Sequence, residues 1–313
     1  MPHDLVAALD IGGTKIAGAL VDGDGALFAR VLRPTPAQES GERVMAAVSE
    51  VLDHLAASPL WPRVDAVGIG SAGPVDARNG TVSPVNIPGW RDHPLVDGVR
   101  RSTGPLPVTL VGDGVAMTAA EHLVGAARGH RSALCMVVST GVGGGLVLDG
   151  RLHPGPTGNA GHIGHISVAL DGESCPCGAR GCVEGLASGT AIARHARAGG
   201  WRPRPGQDAG AAGVAAAARE GDPVATAAYT RAARALAAAI SATAALVEIE
   251  VAVIGGGVAG AGEVLFAPLR AALEDFATLS FVRGLSVVPA ATGTDAGLIG
   301  AAAAARTLLR QDG

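Results

Sequence analysis

Between Gly161 and Glu184 the chain reads GHIGHISVALDGESCPCGARGCVE, two histidines three residues apart followed by three cysteines in a Gly-rich loop. Cys175, Cys177 and Cys182 have the spacing C-x-C-x4-C, and His165 lies upstream of them. Three thiolates and one imidazole make a closed tetrahedral Zn²⁺ site, the structural type. Gly178 and Gly181 permit the tight turn of a knuckle. His162 is surplus to that set, and either faces a substrate or lies in the loop. The same count excludes a zinc hydrolase, which keeps a fourth position open for water.

A second chemistry is spread along the chain. Asp10-Ile-Gly12-Gly13-Thr14-Lys15 sets an acid at the end of an apolar run, then two glycines, a hydroxyl and an ammonium. Glycines in a tight turn let backbone N–H groups reach phosphate oxygens. An acid beside them acts on the metal ion that accompanies phosphates. A Gly-rich hairpin with no ligand has the same local sequence, and the turn is too short for a GxxxxGK[ST] loop. STGVGGG (Ser139–Gly145) and GGGVAG (Gly255–Gly260) repeat the arrangement after two further apolar runs. Three such loops point to a nucleotide, with two hairpins at its phosphates and one loop near its base. Asp113 follows VTLVG and precedes a helical stretch, where either a general base or a helix N-cap would stand.

These residues need strands to carry them. Leu5–Asp10 and Lys15–Val21 read as antiparallel strands, with a turn at Asp22–Gly25 and a third strand after it. A helix is expected over Gly41–Ala57, a buried strand in VDAVGIGSAGPVD, and a helix from near Gly114. ALCMVVSTGVGGGLVLDGRL restarts the strand–turn–strand pattern, so the halves have related construction. Beyond the cysteine insert, an Ala-rich helical region is expected over Ala211–Val247, then a strand in VAVIGGGVAG and a closing helix in DAGLIGAAAAARTLL. The expected division is residues 1–116, completed by a last helix at about 296–313, and residues 117–295, with the zinc-binding insert at 161–184.

The bulk numbers set bounds. The chain has 313 residues, 48% hydrophobic and 17% charged, enough for two domains with real cores. Its formal net charge is −4 and no Lys/Arg block occurs, so nucleic-acid binding has no electrostatic footprint. Four cysteines, three of them within eight positions, are no disulfide framework and fit metal binding in a reducing, cytoplasmic compartment. The N-terminus shows no secretory pattern. Val224–Val247 is interrupted by Arg231 and Arg234, which argues against a membrane span.

In order, LDIGGTKIAGALVD, GIGSAGPVD, NIPGW, STGVGGG, GHIGH, CPCGARGCVEGLASG, VIGGGV and DAGLIGAA resemble the motifs of the ROK family over almost the whole chain. The family includes bacterial glucokinases, fructokinases, N-acetylhexosamine kinases and sugar-responsive repressors. The resemblance implies an α/β protein of the actin-like ATPase (ribonuclease H-like) fold, two domains around a nucleotide/sugar cleft, assembled as a homodimer or dimer of dimers. It implies an ATP:sugar phosphotransferase using Mg²⁺, with the nucleotide at Asp10, Gly12, Gly13, Thr14, Lys15, Thr140, Gly141 and Gly256. The sugar would meet Gly73, Asn86, Asp113, His162, His165 and Glu184, with Asp113 as general base. Zn²⁺ would be structural, held by His165, Cys175, Cys177 and Cys182, with His165 also facing the sugar.

Two positions depart from the family pattern. His162 stands where the usual motif has Glu, which suits an altered C2 substituent such as an acetamido group and resembles bacterial N-acetylmannosamine kinases. Gly112 stands where an asparagine precedes the base. An N-acetylmannosamine-like substrate phosphorylated at its 6-hydroxyl is therefore expected, with glucokinase as the alternative. A non-catalytic sugar-binding protein or sensor is the alternative of another class. The family's repressors carry an N-terminal winged helix-turn-helix, for which DIGGTK at Asp10 leaves no room.

Overall fold

The computed structural model describes residues 4–309, and the expected end of the closing helix at 313 lies outside them. The elements run β1 (Leu5–Ile11), β2 (Lys15–Val21), β3 (Leu27–Pro34), α1 (Gly41–Ala56), β4 (Val64–Ser71), β5 (Val75–Asp76), β6 (Thr81–Val82), α2 (Leu95–Thr103), β7 (Val108–Gly112) and α3 (Asp113–Leu123). There follow β8 (Ala133–Val138), β9 (Val142–Leu148), β10 (Arg151–His153), α4 (Val183–Ala187), α5 (Gly189–Ala198), α6 (Ala211–Arg219) and α7 (Pro223–Val247). β11 (Val251–Gly255), α8 (Glu263–Phe276), β12 (Ser286–Pro289) and α9 (Ala296–Leu309) complete the chain. It divides into two compact units. The first holds the residues up to Gly129, Arg151–Gly161 and the residues from Ala291; the second holds His130–Gly150 and His162–Ala290.

In the first unit the strands lie in the order β3-β2-β1-β4-β7. β1 is antiparallel to β2 and parallel to β4, and β4 is parallel to β7. Strand geometry sends alternate side chains to opposite faces. Leu5, Ala7, Leu9 and Ile11 accordingly pack with Val44, Val48 and Val51 of α1, whereas Val6 and Ala8 pack with Leu298, Ala301 and Ala302 of α9. The same alternation puts Asp10 on the α9 face.

The second unit repeats the plan. β8 is antiparallel to β9 and parallel to β11, and β11 is parallel to β12. Leu134, Met136 and Val138 of β8 form its core with α4–α8. The two halves therefore do have related construction.

One expected element differs. The helical region over Ala211–Val247 is two helices, because Gly221 takes a φ of +89° and Asp222 then caps a new helix with Pro223 in its first turn. The Asp222 carboxylate accepts the N–H groups of Val224 and Ala225 at 2.8 and 2.9 Å. Among the described residues no helix is long and apolar enough to cross a membrane.

Candidate active site

In open α/β sheets, ligand-binding residues gather at the carboxyl ends of parallel strands. In the first unit those ends are Asp10 on β1, Ser71–Gly73 beyond β4, and Gly112–Asp113 at the junction of β7 and α3. The β1–β2 turn is fixed from two sides. Gly12 donates its N–H to the Lys15 carbonyl at 2.9 Å, while Thr35 donates its hydroxyl to the Gly12 carbonyl at 2.7 Å and its N–H to the Thr14 carbonyl at 3.1 Å. Thr14 and Lys15 are exposed at its tip. Asn86 lies against Gly13 so closely that a Cβ there would meet its amide nitrogen at 2.5 Å.

Asp10 is walled by the first turn of α9, where a Cβ on Gly297 would sit 2.4 Å from its carboxyl carbon. Burial pushes the Asp10 carboxyl above the ordinary carboxylate range; Lys15 opposes the shift and Asp113 adds to it. An acid held in this way, with a second carboxylate close by, suits a cation. Asp113 is exposed, is the first residue of α3, and accepts the Gly114 N–H at 2.7 Å. Its position thus combines a helix-start hydrogen bond with an accessible carboxylate.

At Gly112 the backbone is extended, φ −68° and ψ 156°, and the nearest atom to an added Cβ is the Gly158 carbonyl oxygen at 3.8 Å. A Cβ is therefore accommodated where the glycine stands. Val115 is buried in the core between α3, Leu152 and α9.

In the second unit the β8–β9 turn is supported from beneath by the start of α5. Gly189 donates its N–H to the Ser139 carbonyl at 2.7 Å, and Thr190 its hydroxyl to the Thr140 carbonyl at 3.1 Å. Glu184, on α4, accepts the Val142 N–H at 2.8 Å. Gly256 follows β11 with φ +86°, its Cα facing the Val138 backbone. A cavity of about 760 Å³ opens beside these loops, lined by Thr140, Thr190, Arg197, Asp208 and Gly257 among others.

His165, Cys175, Cys177 and Cys182 bring one ligand atom each within 4.8 Å of one another. Cys177 Sγ lies 3.7 Å from Cys182 Sγ, and Cys175 Sγ 3.8 Å from His165 Nδ1. Bonds of about 2.3 Å to sulfur and about 2.0 Å to nitrogen give tetrahedral edges of roughly 3.5–3.8 Å. The donor set therefore fits Zn²⁺ in chemistry and in size. As a free thiol, Cys182 is pushed up to about 12 by burial and by Cys175 and Cys177 beside it, whereas exposed Cys177 is lowered chiefly by the Ala179 N–H. His162 is exposed, outside this set, with its ring stacked on that of His165 at 6.1 Å between centroids and 15° between planes.

Of the expected residues, Asp10, Gly12, Gly13, Asn86 and Asp113 thus gather in the first unit with Gly73, whose neighbour Ala72 donates its N–H to Ile11 at 3.0 Å. Thr140, Gly141, Glu184 and the Cys/His cluster gather in the second. Sequence reading missed Thr35 and Asn159, which bond to backbone groups distant in sequence and carry no motif, and missed that Gly297 of DAGLIGAA packs against the Asp10 carboxyl.

The profile of the ROK family matches residues 6–308. A glucokinase of Thermotoga maritima is 36% identical, with 96% of this chain and 97% of that protein aligned. An N-acetylmannosamine kinase of Yersinia pseudotuberculosis is 38% identical, with 96% and 98% aligned. Among solved structures, a ROK family glucokinase from Streptomyces griseus in complex with glucose and AMPPNP superposes with a TM-score of 0.79 at 34% identity, covering 96% of this chain and 99% of that one.

Proposed function

The chain belongs to the ROK family, whose actin-like ATPase fold it shares, and from that premise we propose that it is an ATP-dependent sugar kinase acting on a hexose or N-acetylhexosamine at the 6-hydroxyl. The observation that carries the reading is the pair of carboxylates at the ends of parallel strands in one unit. Asp10 is half-buried beside the Gly12–Lys15 turn, and Asp113 is accessible at the start of α3.

In this reading Asp113 takes the proton of the sugar hydroxyl as its oxygen bonds to the γ-phosphorus. The bond from that phosphorus to the β–γ bridging oxygen breaks, and ADP leaves. The N–H groups of the Gly12–Thr14 and Thr140–Gly141 turns bind phosphate oxygens, and Lys15 adds a positive charge. Asp10 would hold Mg²⁺, directly or through water, and Mg²⁺ supplies charge neutralisation on the phosphates. The rest is orientation by Gly73, Asn86, His162, His165 and Glu184 around the sugar. Zn²⁺ held by Cys175, Cys177, Cys182 and His165 Nδ1 would be structural, fixing the ring of His165.

His162 favours an N-acetylmannosamine-like substrate, because an imidazole can donate a hydrogen bond to an acetamido carbonyl where a carboxylate cannot. Glucose is the alternative. The family resemblance also implies a homodimer, which equilibrium sedimentation tests.

An ADP-release assay with Mg²⁺-ATP and N-acetylmannosamine, glucose, mannose, N-acetylglucosamine, fructose and allose decides the matter. Turnover on one sugar that falls by about 10²–10⁴ in Asp113→Asn is expected. No turnover on any sugar from folded, zinc-loaded protein would instead favour the non-catalytic sensor.

A further inference from the structure

Asn159 is named in no motif above, yet its side chain joins two stretches of backbone in the first unit. Its Oδ1 accepts the Val75 N–H at 3.2 Å, and its Nδ2 donates to the Val75 carbonyl at 2.6 Å. A single carboxamide thus satisfies both backbone groups of one residue, as a neighbouring strand would. Ala77 extends the pairing by donating its N–H to the Thr157 carbonyl at 3.0 Å. Between them Gly158 has φ +87°, and a Cβ there would lie 2.9 Å from the Ala77 Cβ, so the segment is laid flat on β5.

Both sides of this joint matter. Val75 lies two residues after Gly73, and the Gly158 carbonyl runs past Gly112, next to Asp113. The Gly12–Lys15 turn is fixed separately, by Thr35 and Asn86. We propose that Asn159 is a positioning residue for sugar: by clamping residues 157–159 onto Val75 it sets the spacing between the Gly73 loop and the start of α3, and leaves nucleotide binding alone. This rests on the kinase reading of Gly73 and Asp113.

The test uses the full-length protein and the variants Asn159→Ala and Asn159→Asp. The latter keeps an acceptor for the Val75 N–H and sets an oxygen against the Val75 carbonyl. Hydrogen–deuterium exchange on the free protein reads the clamp. Calorimetric titrations with N-acetylmannosamine, glucose and Mg²⁺-ATP, together with steady-state kinetics, read the site. For Asn159→Ala the expected result is at least tenfold faster exchange at Val75 and Ala77, a sugar KM raised at least tenfold, and a Mg²⁺-ATP KM within twofold. Asn159→Asp is expected between wild type and Asn159→Ala. Faster exchange with unchanged sugar affinity overturns the positioning role, and equal losses for sugar and nucleotide make Asn159 a residue of general stability. Unchanged exchange overturns the clamp itself, whatever the kinetics. Wild-type protein that binds none of the sugars overturns the kinase reading and this role with it, while the exchange data still report whether the clamp exists.

Discussion

The Glu184 carboxylate accepts the Val142 backbone N–H at 2.8 Å, and a Cβ on Gly141 would lie 2.6 Å from the same oxygen. Glu184 stands two residues after Cys182, the N-cap of α4. A residue expected at the sugar therefore also holds the loop expected at the phosphates. A hydrogen bond to a charged group contributes about 1.5–3 kcal/mol. Glu184→Ala should raise the KM for Mg²⁺-ATP by about tenfold to a hundredfold as well as weaken sugar binding, and Glu184→Gln should recover part of both. A sugar effect alone, in kinetics with each substrate varied, would show that the loop contact does not matter.

Asp10 gives a pH-dependent prediction. Its folded-state pKa is raised above the unfolded value of about 3.8, chiefly by burial. The folded state then prefers the protonated acid, so the penalty for ionised Asp10 appears as pH rises through that value to the folded one and is complete above it. Asp10→Asn should therefore melt above wild type at pH 7, and the gap should close as pH falls below about 4. The same variant should lose Mg²⁺-dependent turnover. A lower melting temperature for the variant at pH 7 would contradict this account.

The Cys/His cluster predicts one zinc per chain by elemental analysis. Removal with a strong chelator should lower the melting temperature by at least about 5 °C and be reversed by Zn²⁺. Cys177→Ser tests the exposed ligand, and full zinc content in that variant would remove Cys177 from the set.

His162 and Gly112 are predicted to select the substrate. Because a Cβ at Gly112 has room and the backbone there is extended, Gly112→Asn should fold normally. Combined with His162→Glu it should raise kcat/KM for glucose by about tenfold and lower it for N-acetylmannosamine. No change in the ratio of the two would place selection elsewhere.

The strands and turns that carry Asp10, Thr140 and Gly256 were legible because buried strands ending in Gly-rich turns leave a strong local pattern, and the Cys/His cluster because three cysteines spaced C-x-C-x4-C stand out in the sequence. What was hidden depends on sequence-distant packing. The many alanines carry no motif, yet Ala301, Ala302, Ala304 and Ala305 are buried where α9 meets the sheet and α3. Glu121, fully buried, accepts N–H groups from Ala126, Ala291 and Thr292 at 2.7–3.1 Å, and in the sequence it is an ordinary helical glutamate. The first shows only once the last helix is in place, the second only once the loop before that helix is.

That last helix also sets an order of events during synthesis. The ribosome delivers β1 first, but the cover for Val6, Ala8 and Asp10 arrives only with α9. Until then the nascent first unit exposes one apolar sheet face and an unfinished acid pocket, while the second unit is fully emerged once Ala290 has cleared the exit tunnel. A chain stopped by a premature codon just before α9 would therefore present a folded second unit beside a sheet left bare on one side, a species for chaperones and proteases to recognise.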